Sequence, residues 1–185
     1  MFELILDFLP WPGRSRDRTD EVVGKLLGGA ITIRPRAADA IKRALSESGW
    51  VDGEVLAAGD LRQGKEPTIL SMVTGLVLIE LLRPRRSKSL PRHFVLAVTK
   101  DRVIAFGAVG GGDDSVDNGP YELSIRPDER GSWPRDSVRL TDLAEGSSSR
   151  SATLVLGGTE RVPVWRSNPT RRDPSTDELL ELLAN

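Results

Sequence analysis

The sequence predicts an α+β protein built on an antiparallel sheet of barrel or sandwich type. About seven strands are expected, with a C-terminal capping helix, a helical N-terminal extension and a helical insertion after the first strand. Three observations carry this. Helical periodicity is confined to the first half of the chain and its last turns. From His93 onward the texture changes to short apolar runs parted by Gly/Ser-rich turns. The closing "DPSTDELLELLAN" reads as a capped amphipathic helix.

Taken in order, residues 1–50 form a tail and helical extension, and residues 51–185 form the sheet domain. Pro10, Pro12 and Gly13 break any element begun at the N-terminus. "DEVVGKLL", from Asp20 to Leu27, reads as a short amphipathic helix, and "GGAITIRP" interrupts it. "PRAADAIKRALSESG" is a clearer helix, with Pro35 suited to its first position, Ala38, Ile41, Ala44 and Leu45 at helical spacing, and Gly49 as its stop. Asp52 and Gly53 make a turn before a first strand over Glu54–Ala58. The insertion spans 67–92: an unbroken apolar run from Ile69 to Leu82, read as a buried helix, and then the basic loop "RPRRSKSLPRH".

After the insertion, "HFVLAVT" and "RVIAFGA" flank "KD" in a hairpin pattern. "PYELSIRP", "DSVRLTDLAEG", "SATLVLGG" and "RVPVWRS" supply further strands. In the last helix Ser175 and Glu178 fit a capping box, and Leu179, Leu180, Leu182 and Leu183 form an apolar stripe. Seven strands and one terminal helix are the inventory of a pleckstrin-homology-like (PH-like) domain. "LPRHFVLAVTKDRVIAF" resembles the hairpin of bacterial PH-like and GRAM-like domains, "SWPRDSVRLTDLAEG" the strand that follows there, and "DELLELLA" the capping helix. The resemblance covers roughly residues 53–185 and implies a non-enzymatic binding module; the insertion and the N-terminal extension depart from it.

Composition narrows the chemistry. The chain has 26 Lys+Arg against 27 Asp+Glu, a net charge of −1 and 5% aromatic residues, so neither a nucleic-acid footprint nor a base-stacking platform is expected. It holds no cysteine and one histidine, His93, which excludes thiolate chemistry and His-rich metal sites; no cofactor is expected. Nothing in the spacing gives His93 a catalytic partner, and a strand-edge position is the reading for it. "GAVGGGDDSVDNG" lacks the lysine of a phosphate loop, and Asp113, Asp114, Asp117 and Asn118 do not follow calcium-loop spacing, so it reads as a solvated connection between strands. Trp11, Trp50, Trp133 and Trp165 are dispersed and read as packing residues.

The candidate binding residues are Arg83, Arg85, Arg86, Lys88 and Arg92, which directly follow the apolar run. Apolar contact and attraction to anionic headgroups add, so this pairing suits an anionic membrane surface. Solvated loop charges behind a core helix are the plainer reading. The expected partner is a protein or the cytoplasmic membrane surface, with the oligomeric state left open. The N-terminus does not have the pattern of a secretory signal, and the 69–82 run is shorter than a bilayer span, so the chain is expected in the cytoplasm or peripheral at the inner membrane face. The rival reading is a small-ligand carrier or enzyme whose pocket the 69–82 segment lines.

Overall fold

A computed structural model describes residues 29–33, 39–64, 87, 89–110, 123–146, 149–167 and 174–184. In chain order these form β1 (Ile31–Ile33), α1 (Ala40–Ser48), β2 (Ala57–Gln63), β3 (His93–Val98), β4 (Arg102–Gly110), β5 (Leu123–Pro134), β6 (Arg139–Glu145), β7 (Ser149–Leu156), β8 (Glu160–Ser167) and α2 (Pro174–Ala184). The strands make one sheet in the order β1-β5-β4-β3-β2-β8-β7-β6, with every neighbouring pair antiparallel.

The expected hairpin is β3–β4. Its turn is set by Thr99, whose N–H donates to the Arg102 carbonyl (2.8 Å) while its hydroxyl accepts from the Arg102 N–H (3.0 Å). β3 and β4 read as almost continuous apolar runs because both faces of the sheet are covered there. Phe94, Leu96, Val98, Val103 and Ala105 enter an inner core with Leu154, Leu156, Val162, Val164 and the leucines of α2. Val95, Ala97, Ile104, Phe106 and Ala108 enter an outer core under α1, with Ile31, Ile33, Leu123 and Ile125.

"AITI", read from sequence only as an interruption, supplies the eighth strand of the described sheet: β1 pairs Ile31 with Ile125 and Ile33 with Leu123. α1 begins at Ala40 behind Asp39, later than the Pro35 start that the sequence predicts. Gly49 ends it at φ 71°, in the left-handed region glycine tolerates. Ile41, Ala44 and Leu45 are the face it buries, as their spacing predicts. The 69–82 run, Ser175's side chain and most of the glycine-rich connection after β4 lie outside the described residues.

The sheet is open, which corrects the expectation of a closed barrel. Its end strands, β1 and β6, do not pair with each other among the described residues. β2 and β8 pair only through Arg62–Trp165 and Gln63–Val164. Where that ladder stops, α2 packs against both β2 and β6. A Cβ on Gly59 would stand 2.6–2.9 Å from Thr176 atoms of the helix, so α2 lies directly on the β2 backbone. Leu179, Leu180 and Leu183 of α2 join the inner core that β3, β4, β6, β7 and β8 share.

Both ends of α2 are tied down. At its start Arg150 bridges Asp177 (2.6 Å) and Glu145 on β6 (2.6 Å). At its end the Arg135 guanidinium donates to the Leu182 carbonyl, one of the last-turn acceptors that the helix cannot satisfy internally. Arg135 opens the 3-10 turn (Arg135–Ser137) that joins β5 to β6.

Candidate functional site

The site is the rim where β2 ends, β3 begins and β8 meets β2. The Gln63 N–H donates to the Arg92 carbonyl (2.7 Å) and the Gly64 N–H to the Pro163 carbonyl (2.8 Å), so the three strands converge at this point. The basic segment leads into it. Of its five candidates the structure places Arg92 alone; Arg83, Arg85, Arg86 and Lys88 lie outside the described residues. Arg92 is exposed immediately before β3.

Ser87, Ser89 and Leu90, which lie within the basic stretch, are held against the sheet. Ser87 is buried, and its Oγ lies 2.9 Å from the Ser89 Oγ and accepts the Ser89 N–H (3.2 Å). The Ser89 hydroxyl donates to Glu160 Oε2 (3.0 Å) at the start of β8. Leu90 is buried in the inner core. One apolar anchor and one hydroxyl–carboxylate bond thus fix the chain at Ser89 and Leu90, just before Arg92.

Beside Arg92 lies a group of polar side chains that the sequence did not bring together. Asp60 is buried within β2. His93 Nε2 stands 3.2 Å from Asp60 Oδ2, and Arg166 Nε stands 3.9 Å from Asp60 Oδ1. Strand register explains the meeting. Arg62 pairs with His93 on one side and with Trp165 on the other, which brings Asp60 within reach of both neighbouring strands. The Arg62 guanidinium lies over the Trp165 ring, 5.3 Å from its centroid, a cation–π arrangement. His93 begins a strand, as expected, but its side chain is only 13% exposed and is held by the Asp60 carboxylate. A signal for Asp60 does exist in the sequence: an acid inside the apolar "VLAAGDL" needs a partner if buried. Which partner could be known only from the register of β2 with β3 and β8.

The printed contacts thus gather the Arg62 and Arg166 guanidiniums, the His93 imidazole and the Trp165 ring around the buried Asp60 carboxylate, with Arg92 exposed just before β3. Among the described residues, no group of three or more His, Asp or Glu side chains could hold a metal ion. No described helix is long and apolar enough to cross a membrane. Compared with models of known protein families the chain matches none, and a search of curated proteins finds no match either.

Proposed function

We propose that the chain is a non-enzymatic, PH-like binding module that attaches to an anionic membrane surface through its basic segment and the adjoining rim. Support for the PH-like part is the run of seven antiparallel strands, β2–β8, followed by a C-terminal helix on the inner core. The observation that carries the binding part is the position of Arg92. It is exposed, it closes the run Arg83, Arg85, Arg86 and Lys88, and its carbonyl accepts the Gln63 N–H where β2 ends. Among the described residues Leu61, Phe94, Leu96, Leu154, Leu156 and Leu179 pack together between the sheet and α2, which favours a packed core over a ligand cavity there.

Sedimentation with vesicles tests the reading. The chain should bind phosphatidylcholine vesicles containing phosphatidylglycerol, weaken with added salt and ignore pure phosphatidylcholine. Replacing Arg83, Arg85, Arg86 and Arg92 together by serine should reduce partition by about a hundred-fold or more, at about 1 kcal/mol per cation. Absence of binding to the anionic vesicles, or binding indifferent to their charge, overturns it and leaves an acidic protein partner as the target to pursue.

A further inference from the structure

We infer that the outer face of β6, β7 and β8 is a docking surface for an acidic segment of a partner protein. Strand alternation defines the face. Leu140, Leu154, Leu156, Val162 and Val164 enter the inner core, so the residues between them stand on the other side of the sheet. Register sets these in rows: Arg139, Val155 and Arg161 in one, Ser151, Trp165 and Arg62 in another. Thr153 and Pro163 lie between the rows. α1 packs on β1 and β2 and α2 on the inner core, so no described helix covers this face. Ser151, Thr153, Pro163 and Trp165 are each only partly buried.

Charge picks the occupant. The whole chain carries −1, yet this face holds the guanidiniums of Arg62, Arg139 and Arg161. The acids of β6 and β8 do not balance them. Glu145 is held by Arg150 (2.6 Å) and Glu160 accepts from Ser89 (3.0 Å). Asp142 stands 3.8 Å from Arg161 with both side chains about two-thirds exposed, a contact of little strength. Beyond Arg62, Asp60 is buried and meets His93 and Arg166. The face is therefore net cationic and complementary to carboxylates.

The aromatic content gives the second half of the partner's chemistry. The Arg62 guanidinium lies 5.3 Å from the Trp165 ring centroid, and tryptophan and arginine are the side chains that most often anchor protein interfaces. From Arg161 to Trp165 a strand rises about 13 Å. An extended segment with carboxylates at its ends and apolar side chains between them sets its acids on the arginines and its apolar groups on Pro163 and Trp165. Other anions fit less well. One ring does not make a stacking platform for successive bases. Pro163 and Trp165 lie partly buried in mixed rows, whereas an element that enters a bilayer presents a continuous apolar face. Arg92, two residues before the inner-core Phe94, falls on the opposite side of the sheet, so this surface and the membrane reading stand or fall separately.

The experiment titrates the full chain, labelled for NMR, with a short capped peptide carrying valine and leucine between glutamates. The amides of Ser151 and Thr153 and the indole N–H of Trp165 should shift, and the same peptide with lysine in place of glutamate should leave them still. Arg139→Ser with Arg161→Ser should weaken binding about five-fold or more, the effect of two exposed ion pairs removed. Lys42→Ser with Arg43→Ser on α1 removes as much charge elsewhere and should leave the affinity unchanged. Absence of shifts on this face, equal shifts with the lysine peptide, or equal weakening by the two double variants overturns the inference. Shifts that grow with protein concentration alone assign the face to a second copy of the chain. Loss of these signals on phosphatidylglycerol vesicles without a response to the glutamate peptide assigns it to lipid. Either result also overturns the acidic segment. Should Arg139→Ser with Arg161→Ser fail to fold, the wild-type shift map still decides, and vesicle sedimentation tests the membrane reading on its own.

Discussion

The two halves of the sheet obey different rules. In the middle of the first half, at β3 and β4, both faces are apolar and buried: β3 alone sends Phe94, Leu96 and Val98 to the inner core and Val95 and Ala97 to the outer one. In β8-β7-β6 the inner core takes Leu140, Leu154, Leu156, Val162 and Val164. The opposite face there carries cross-strand rows such as Thr141–Thr153–Pro163 and Ser151–Trp165. The strands belong to one ladder, and the difference is the helix. α1 lies on the first half, and no described helix lies on the outer face of the second. Continuous apolar runs therefore report a covered strand, and alternating ones a strand covered on one side.

The largest expected effect breaks the covered half. Phe106 is fully buried in the outer core, its ring 6.0 Å from that of Trp50 and tilted by 39°. Phe106→Ala should cost about 3–5 kcal/mol in urea unfolding, the range for an aromatic removed from a core. A loss below about 1 kcal/mol would mean that the layer under α1 is not part of the cooperative fold.

Next in size is the seam between the halves. Gly59→Ala would place a methyl group 2.8 Å from the Thr176 Cα and 2.6 Å from its hydroxyl. Main-chain atoms of a packed helix cannot step aside, so a loss of about 3 kcal/mol is expected, at the upper end for overpacking. Adding Thr176→Ala should recover only part of it, because the clash with the helix backbone remains. A neutral Gly59→Ala would show that α2 does not set the spacing of the two halves.

This seam marks the boundary of what the sequence makes legible. The hairpin at Lys100–Asp101, the strands after it, the buried face of α1 and the buried Leu179, Leu180 and Leu183 of α2 all follow from local pattern, since each has a period or a turn residue that reports it. β1 escaped because a strand this short, between glycines and a proline, looks like a break in a helix. Openness of the sheet escaped because it is set by which strands pair at the two ends of the order, β1 and β6, and no local pattern reports that. The rim was half legible. Clustered arginines are visible in any reading, whereas Asp60, Arg62, Trp165 and Arg166 acquire a shared location only through the pairing of β2 with β3 and β8.

A reciprocal pair of isosteric changes gives the smallest and sharpest test of the comparison. Val95→Thr places a hydroxyl on the outer side of β3, where Val95 is fully buried opposite Asp60 of β2. It should cost about 1–3 kcal/mol, the desolvation of a hydroxyl whose polar cross-strand neighbour, the Asp60 carboxylate, is already held by His93 and Arg166. Thr153→Val makes the opposite change on the outer side of β7, in the row with Thr141 and Pro163. Thr153 meets the Thr141 hydroxyl through its backbone carbonyl (3.5 Å), which the substitution retains. Both residues are β-branched, so strand preference is unchanged. With Thr153 itself only partly buried, the stability change should stay within about 0.5 kcal/mol in either direction. Were Thr153→Val to stabilise the fold by as much as Val95→Thr destabilises it, the outer face of β6–β8 would be as dry as that of β3, and the two halves would no longer differ in the way proposed.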